Sequence, residues 1–288
     1  MLRFLLLFAA VIAVAPAGAQ TCRPARTALV LSGGGAKGLA HIGVLLVLDS
    51  LGVRPDLIVG SSMGAVIGGM YASGYSGREI DSLARTLPLA DIFRTYQPRA
   101  PRSLGLLQPL VLWEQGERRF AVQSAAVSET EVNALVNAAM LRGNLLARGN
   151  FDSLPIPFRA VAADLADRTP VVLAGGDLAQ AVRASFAIPL VFTPESLDGR
   201  ILADGGLAAN IPASIARAEG AKRLIVSDAT ERQLDSLDLY SPIALADRLL
   251  GFLFQQPGDS LGPEDVRVRP AIEGFTGLNF SAEKVDRL

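Results

Sequence analysis

Thr27-Ala28-Leu29-Val30-Leu31-Ser32-Gly33-Gly34-Gly35-Ala36-Lys37-Gly38 is a short apolar β-type run that breaks into consecutive glycines and then into an apolar stretch, Leu39 to Leu51, long enough for a buried helix. The same grammar returns soon after. Asp56 to Gly60 is a second apolar run, Val59-Gly60-Ser61-Ser62-Met63-Gly64 is its corner, and Met63 to Ser73 is a second helical stretch. Gly64, Gly68 and Gly69 stand there where a helix prefers alanine, at a cost of about 1 kcal/mol each if exposed. Spacing of four puts Gly64 and Gly68 on one face, which suits close packing against a sheet. Strand, helix, strand, helix at this pace predicts an α/β fold with a mainly parallel central sheet and helices on both faces.

The pattern continues beyond an interruption. From about residue 91 to 127 the text changes, with Pro98, Pro101, Pro109, several arginines and Trp113, and reads as an insertion or cap. Ser128 followed by Glu131 is a capping-box pattern opening a helix whose stripe is Val132, Leu135, Val136 and Ala139. Ile156 to Ala163, Pro170 to Leu173, Arg200 to Ala203 and Leu224 to Ser227 read as strands, and Asp177 to Ser185 as a helix. After Asp228 come a polar loop, an apolar helix around Ile243 to Phe254, and a tail.

At 288 residues and 50% hydrophobic the chain supports one sizeable core. Arg3, the apolar run Phe4 to Val14 and Ala17-Gly18-Ala19 follow the three-part grammar of a secretory signal peptide, and the run is short for a membrane span. The expected organisation is a signal peptide at 1–19, one main domain at 20–250 with the cap at about 91–127, and a tail at 251–288, exported to the periplasm or the extracellular space. Cys22 is the only cysteine, so no internal disulfide forms. Ala19-Gln20-Thr21 before it lacks the aliphatic and small pair of a lipidation site. The formal net charge is -1, and loss of Arg3 makes it -2, which gives no electrostatic case for nucleic acid.

Gly60-Ser61-Ser62-Met63-Gly64 has the form of a nucleophile elbow. Glycines at Gly60 and Gly64 flank a turn where a side chain would clash, and the central serine hydroxyl is presented at the head of a helix. Ser62 is therefore the candidate nucleophile. Acyl transfer also needs donors for an oxyanion, and the backbone of Gly33, Gly34, Gly35, Ala36, Lys37 and Gly38, opening a neighbouring helix, is the candidate hole. Lys37 reads either as a cation beside that loop or as a solvated residue of a first helical turn.

The base is the harder assignment. The single histidine, His41, lies inside the helix after the first glycine loop, where its expected role is to hold that loop, so a Ser-His-Asp triad is disfavoured. Asp204 follows a strand and precedes Gly205-Gly206, so its carboxylate can approach a serine hydroxyl closely. The same three residues also read as an ordinary Asp-Gly turn, and at this level both readings stand. Asp164 and Asp167 read as turn residues before Thr169-Pro170. No cluster of His, Cys, Asp and Glu has metal-ligand spacing.

Taken together these blocks resemble the patatin-like phospholipases. The family pattern of Gly-Gly-Gly-x-Arg/Lys-Gly, Gly-x-Ser-x-Gly and a late Asp-Gly-Gly/Ala is matched in order by Gly33 to Gly38, Gly60 to Gly64 and Asp204 to Gly206. Tyr71-Ala72-Ser73-Gly74-Tyr75, Arg183 to Pro189 and Asn210-Ile211-Pro212 look like further family blocks. The resemblance implies a three-layer α/β fold, a Ser62–Asp204 dyad without histidine, and an oxyanion hole at Gly33 to Gly38. It also implies hydrolysis of a phospholipid or other lipid ester through an acyl-enzyme, without metal or cofactor. Lys37 stands where many relatives carry arginine, so charge is kept but a bidentate fork is not.

Val266-Arg267-Val268-Arg269-Pro270 and Gly277-Leu278-Asn279-Phe280 are similar to the end of the secreted catalytic domain in bacterial members that continue into an outer-membrane barrel. The resulting expectation is a soluble periplasmic or secreted enzyme, or one whose remainder, such as an outer-membrane partner, was lost or is encoded separately. The apolar cap around Leu104 to Trp113 reads either as a membrane-surface contact or as core packing. Two rival readings remain. One is an idle scaffold or export domain on the same fold. The other is a dinucleotide-binding module, because Gly33, Gly35 and Gly38 also fit Gly-x-Gly-x-x-Gly, which requires an acidic residue at the end of a second strand. Asp56 is near the required distance but begins its strand.

Overall fold

A computed structural model of the protein describes residues 26–87, 111–114, 119–122, 129–189, 191–230, 251–254 and 261–272. The expected signal peptide at 1–19 and most of the cap at 91–127 lie outside them. Within the cap, β3 (Val111–Glu114) and β4 (Arg119–Val122) pair antiparallel as a separate two-stranded ribbon.

β1 (Thr27–Leu31), β2 (Leu57–Ser61), β5 (Phe158–Asp164), β9 (Arg223–Ser227) and β10 (Val266–Val268) form the parallel part of the main sheet, in the order β10-β9-β1-β2-β5. Beyond β5 the sheet turns antiparallel, with β6 (Pro170–Leu173), β7 (Glu195–Leu197) and β8 (Arg200–Asp204). Val266–Val268 belongs to the stretch read from sequence as tail, yet it pairs in parallel with β9 and extends the sheet.

Alternation along the strands shows why both faces are covered. In β1, Leu29 and Leu31 join one core cluster while Ala28 and Val30 join another, and in β2 Ile58 is divided in the same way from Leu57 and Val59. Side chains two apart share a face, so an apolar residue at every position requires a layer of helix on each side. α1 (His41–Ser50), α2 (Met63–Ala72), α3 (Gly77–Thr86), α4 (Glu129–Ala147) and α5 (Leu178–Ser185) contribute Leu45, Met70, Ile80, Met140 and Val182 to the first cluster. The short helices α6 (Gly206–Ala209) and α7 (Ala213–Ala218) contribute Ala209, Ile215 and Ala216 to the second. A fully buried Leu or Met of this kind is worth about 1.5–3 kcal/mol, so the two clusters carry the fold.

One feature of the topology matters for chemistry. Residues 158–161 of β5 pair with β2, residues 162–164 pair with β8, and residues 160–163 pair with β6. A strand has only two edges and β6 occupies one of them across 160–163. β2 and β8 therefore lie end to end along the other edge, and the last residue of β8 is delivered to the tip of β2.

Candidate active site

Ser62 is the N-cap of α2 and has φ 53° and ψ −124°. A serine is rarely found there, and such backbone costs on the order of 1–3 kcal/mol unless its surroundings hold it. The glycines around it make the corner fit. A β-carbon on Gly60 would lie 2.4 Å from the Gly64 carbonyl oxygen, and one on Gly64 would lie 2.3 Å from the Leu31 carbonyl oxygen. Both obstacles are backbone, so the elbow cannot be built with side chains at these positions.

The end-to-end strands bring Asp204 to this corner. The Ser62 hydroxyl donates to Asp204 Oδ2 at 2.6 Å, while Oδ1 accepts the Gly206 amide at 2.8 Å. Gly205 keeps the turn tight: a β-carbon there would lie 2.0 Å from the Val161 carbonyl oxygen. Asp204 is 1% exposed and Ser62 4%. Burial pushes the Asp204 carboxyl up to about 7, more than the hydrogen bonds from Ser62 and Gly206 pull it down. The pair consequently couples a serine hydroxyl to a carboxylate far more basic than an exposed aspartate.

The first glycine loop lies against the elbow. A β-carbon on Gly33 would be 3.3 Å from Ser62 Cβ and 2.3 Å from Asn210 Oδ1, and one on Gly38 would strike Met63 at 2.6 Å. Gly35, with φ 55°, starts a 3-10 turn, Gly35–Ala40, that runs into α1. Two loop amides have internal partners: Gly33 N–H donates to the Asn210 carbonyl and Lys37 N–H to the Gly34 carbonyl. Among the described residues no protein acceptor meets the Gly34 or Gly35 amide, and both residues are partly open to solvent.

His41 lies fully buried behind this loop. Nε2 is 2.9 Å from the Ser32 carbonyl oxygen, which can only accept, so Nε2 carries the hydrogen and Nδ1 accepts from the Ser227 hydroxyl at 2.6 Å. Both ring nitrogens are thereby committed. Desolvation pushes the imidazole down to about 4, against the pull of the Ser32 carbonyl and Asp228. Ser32 continues the brace, its hydroxyl donating to the Gly33 carbonyl and accepting the Ala229 amide. His41 thus holds the loop, as expected from its position in the sequence.

The other sequence candidates resolve simply. Asp164 accepts the Ala166 amide and Asp167 the Thr169 amide and hydroxyl, which is turn chemistry. Asp56 accepts the Thr27 amide at 2.8 Å, at the end of β1 opposite the glycine loop. Among the described residues no group of three or more His, Cys, Asp or Glu is placed to hold a metal ion, and no helix is long and apolar enough to cross a membrane.

Ser185 and Asn210 were not singled out by residue-level reasoning, although both fall in blocks quoted for the resemblance. The Ser185 hydroxyl accepts the Ser62 amide at 2.9 Å and donates to the Val161 carbonyl at 2.5 Å. Asn210 fills the space between the two corners, its Oδ1 lying where a side chain on Gly33 or Gly206 would go.

Comparison with known proteins finds a family match. A sequence model described as patatin-like phospholipase matches residues 29–217. An uncharacterized NTE family protein of Mycobacterium tuberculosis is 35% identical over 187 residues, 65% of this chain and 44% of its own length. Human patatin-like phospholipase domain-containing protein 6 is 31% identical over 215 residues, 74% of this chain and 14% of its own. Among solved structures, VipD from Legionella pneumophila aligns over 92% of this chain and 64% of its own, with TM-score 0.47 and 15% identity. The chain thus spans less than half the length of these sequence relatives.

Proposed function

The chain belongs to the patatin-like phospholipase family, and on that premise we propose that it is a lipid acyl hydrolase working through a Ser62–Asp204 dyad. The observation that carries this reading is the 2.6 Å hydrogen bond from a strained, buried serine to a buried carboxylate of raised basicity. Ser62 Oγ attacks the ester carbonyl carbon as its proton passes to Asp204 Oδ2. Negative charge then develops on the former carbonyl oxygen. The Gly34 and Gly35 amides, together with the N-terminal end of α2, are the donors that receive it. Collapse of the tetrahedral adduct breaks the ester bond, and the leaving alkoxide takes the proton from Asp204. Water then attacks the acyl carbon as its proton passes to Asp204; collapse breaks the bond to Ser62 Oγ, releases the carboxylic acid, and returns the proton from Asp204 to Ser62. Gly33 and Lys37 shape the loop, since their amides are already committed, to the Asn210 and Gly34 carbonyls.

The substrate of this reading is a phospholipid or another lipid ester met at a membrane surface. Residues 1–19 direct export, so the working protein begins near Gln20 in the periplasm or outside the cell. The dinucleotide alternative is disfavoured by Asp56, which sits at the opposite end of the sheet from the glycine loop.

The test is fatty-acid release from mixed phospholipid vesicles, and alcohol release from a soluble short-chain ester, by the full chain and its Ser62→Ala variant in chelator. Release that depends on Ser62 supports the reading. Folded protein that releases nothing from either substrate sinks it and favours the idle scaffold. N-terminal sequencing of protein from fractionated cells tests export: an intact Met1 in the cytoplasm overturns it.

A further inference from the structure

The C-terminal end of α5 and the turn after it contact both members of the proposed dyad. We infer that Ser185 is a positioning residue, fixing Ser62 and Asp204 in one register through its side chain and its backbone; this rests on the dyad proposed above. On the side-chain route, the Ser62 amide donates to Ser185 Oγ at 2.9 Å, and that hydroxyl is itself oriented by donating to the Val161 carbonyl at 2.5 Å. On the backbone route, the Gly205 amide donates to the Ser185 carbonyl and the Asp204 amide to the Ala187 carbonyl, each at 2.9 Å. Residues 185–187 thus contact the backbone of the nucleophile on one side and of the base on the other.

The physical need is clear at Ser62. As the N-cap of α2, Ser62 has an amide with no intrahelical acceptor, and a buried amide requires one. Only a side-chain oxygen from a neighbouring element fills that role here, because the edge of β5 next to the corner passes from β2 to β8. Ser185 is 0% exposed, so its hydroxyl meets the Ser62 amide away from bulk water.

The turn is itself anchored. Arg183, two residues earlier, is buried with its guanidinium 5.2 Å and 4.9 Å from the rings of Phe186 and Phe192. Its Nε donates to Asn133 Oδ1 at 2.9 Å, and Nη2 pairs with Glu129 at 3.0 Å. These contacts tie the end of α5 to α4 and leave Ser185 little freedom to follow a displaced elbow.

The experiment compares Ser185→Ala with Ser73→Ala. Ser73 is another fully buried serine, at the far end of α2, donating to the Gly69 carbonyl at 2.6 Å. Its loss removes a hydrogen bond without touching the corner. For a soluble short-chain ester, Ser185→Ala is expected to lower kcat on the order of 10- to 100-fold, the scale of a misplaced nucleophile. KM should stay within about twofold, and labelling of Ser62 by a fluorophosphonate should slow by the same factor as kcat. Ser73→Ala should keep kcat within about threefold of the parent at a comparable loss of Tm. A Ser185→Ala kcat within threefold of the parent, or an equal kcat loss in Ser73→Ala, overturns the inference.

Exchange of the Ser62 amide in the parent protein, followed by NMR, gives a reading that survives failure of Ser185→Ala to fold. Protection equal to that of the β5 amides supports the assignment, and free exchange overturns it. The amide readout also stands apart from the functional reading: a parent protein that hydrolyses no ester but protects this amide fails as an acyl hydrolase and keeps the positioning contact.

Discussion

Ser62 and Asp204, 142 residues apart in the chain, are joined by a 2.6 Å hydrogen bond because β8 runs on from the tip of β2 along one edge of β5. Neither residue would be near the other if β8 paired elsewhere. This pairing of a hydroxyl with a carboxylate is a consequence of strand order, and the raised basicity of Asp204 follows from the dryness of that junction.

Ser62→Ala and Asp204→Asn should each lower kcat by about 10³-fold or more, because nucleophile and base act as a unit. Far-UV circular dichroism should remain that of the parent. Ester release measured beside the spectrum decides the matter: a folded Asp204→Asn enzyme within tenfold of parent activity would remove Asp204 from the chemistry.

Activity should depend on one ionisation near neutrality. The base must be unprotonated, and burial holds the Asp204 carboxyl at about 7, so kcat/KM should rise about tenfold per pH unit up to pH 7 and level off above it. His41, neutral above about 4, contributes no limb in this range. A profile flat from pH 5 to 8 on a soluble ester would contradict the assignment.

The same group should leave a mark on stability. Its folded value of about 7 lies above the ordinary 3.8, so the folded state binds the extra proton between those pH values. Stability from Asp204 is therefore fully present below 3.8 and lost as pH rises through 7. Relative to the parent, Asp204→Asn should gain up to about 4 kcal/mol between pH 4 and pH 8. Urea unfolding of both proteins at the two pH values measures the difference, and a constant gap would refute it.

His41→Gln should remain active, with kcat within about threefold, since the glutamine amide can still donate toward the Ser32 carbonyl and no step needs the ring. His41 is lowered from 6.5 to about 4 on folding, so it gives stability above 6.5 that is lost as pH falls toward 4. The variant should lack that loss, which Tm measured from pH 7 to pH 4 will show. Equal inactivity of folded His41→Gln and Ser62→Ala would point to the imidazole instead.

Two glycine substitutions in helices should separate packing from propensity. A β-carbon on Gly64 meets the Leu31 and Ser32 carbonyl oxygens at 2.3 and 2.6 Å, and backbone cannot yield, so Gly64→Ala should cost about 3 kcal/mol. Gly43, exposed in α1, has nothing within 4 Å, so Gly43→Ala should add about 0.5–1 kcal/mol. Urea midpoints provide the comparison, and a destabilised Gly43→Ala beside a neutral Gly64→Ala would reverse the argument.

Much of the fold was legible because its signals are local. The apolar runs at Thr27 to Ser32 and Asp56 to Gly60, the glycine corners after them, and the strand at Pro170 to Leu173 all agree with the observed elements. α3 also had a local signal that went unread: Ser76 and Glu79 form a capping box in which each satisfies the other's backbone amide. β7 and β10 are three residues long, too short for any periodicity, and exist only because an open sheet edge was there to pair with.

Sequence by itself determined the parallel α/β class, the two glycine corners and the choice of Ser62, since each depends on residue types a few positions apart and on what a backbone can do without a side chain. It also left His41 a poor candidate base by placing it inside a buried helix. Tertiary structure alone decided that Asp204 meets the Ser62 hydroxyl, that burial pushes its carboxyl up to about 7, and that the Ser62 amide ends on Ser185. Those facts depend on which strand shares an edge with which and on how little water reaches the junction. Both are set by packing between segments 42 to 142 residues apart, which no local pattern encodes.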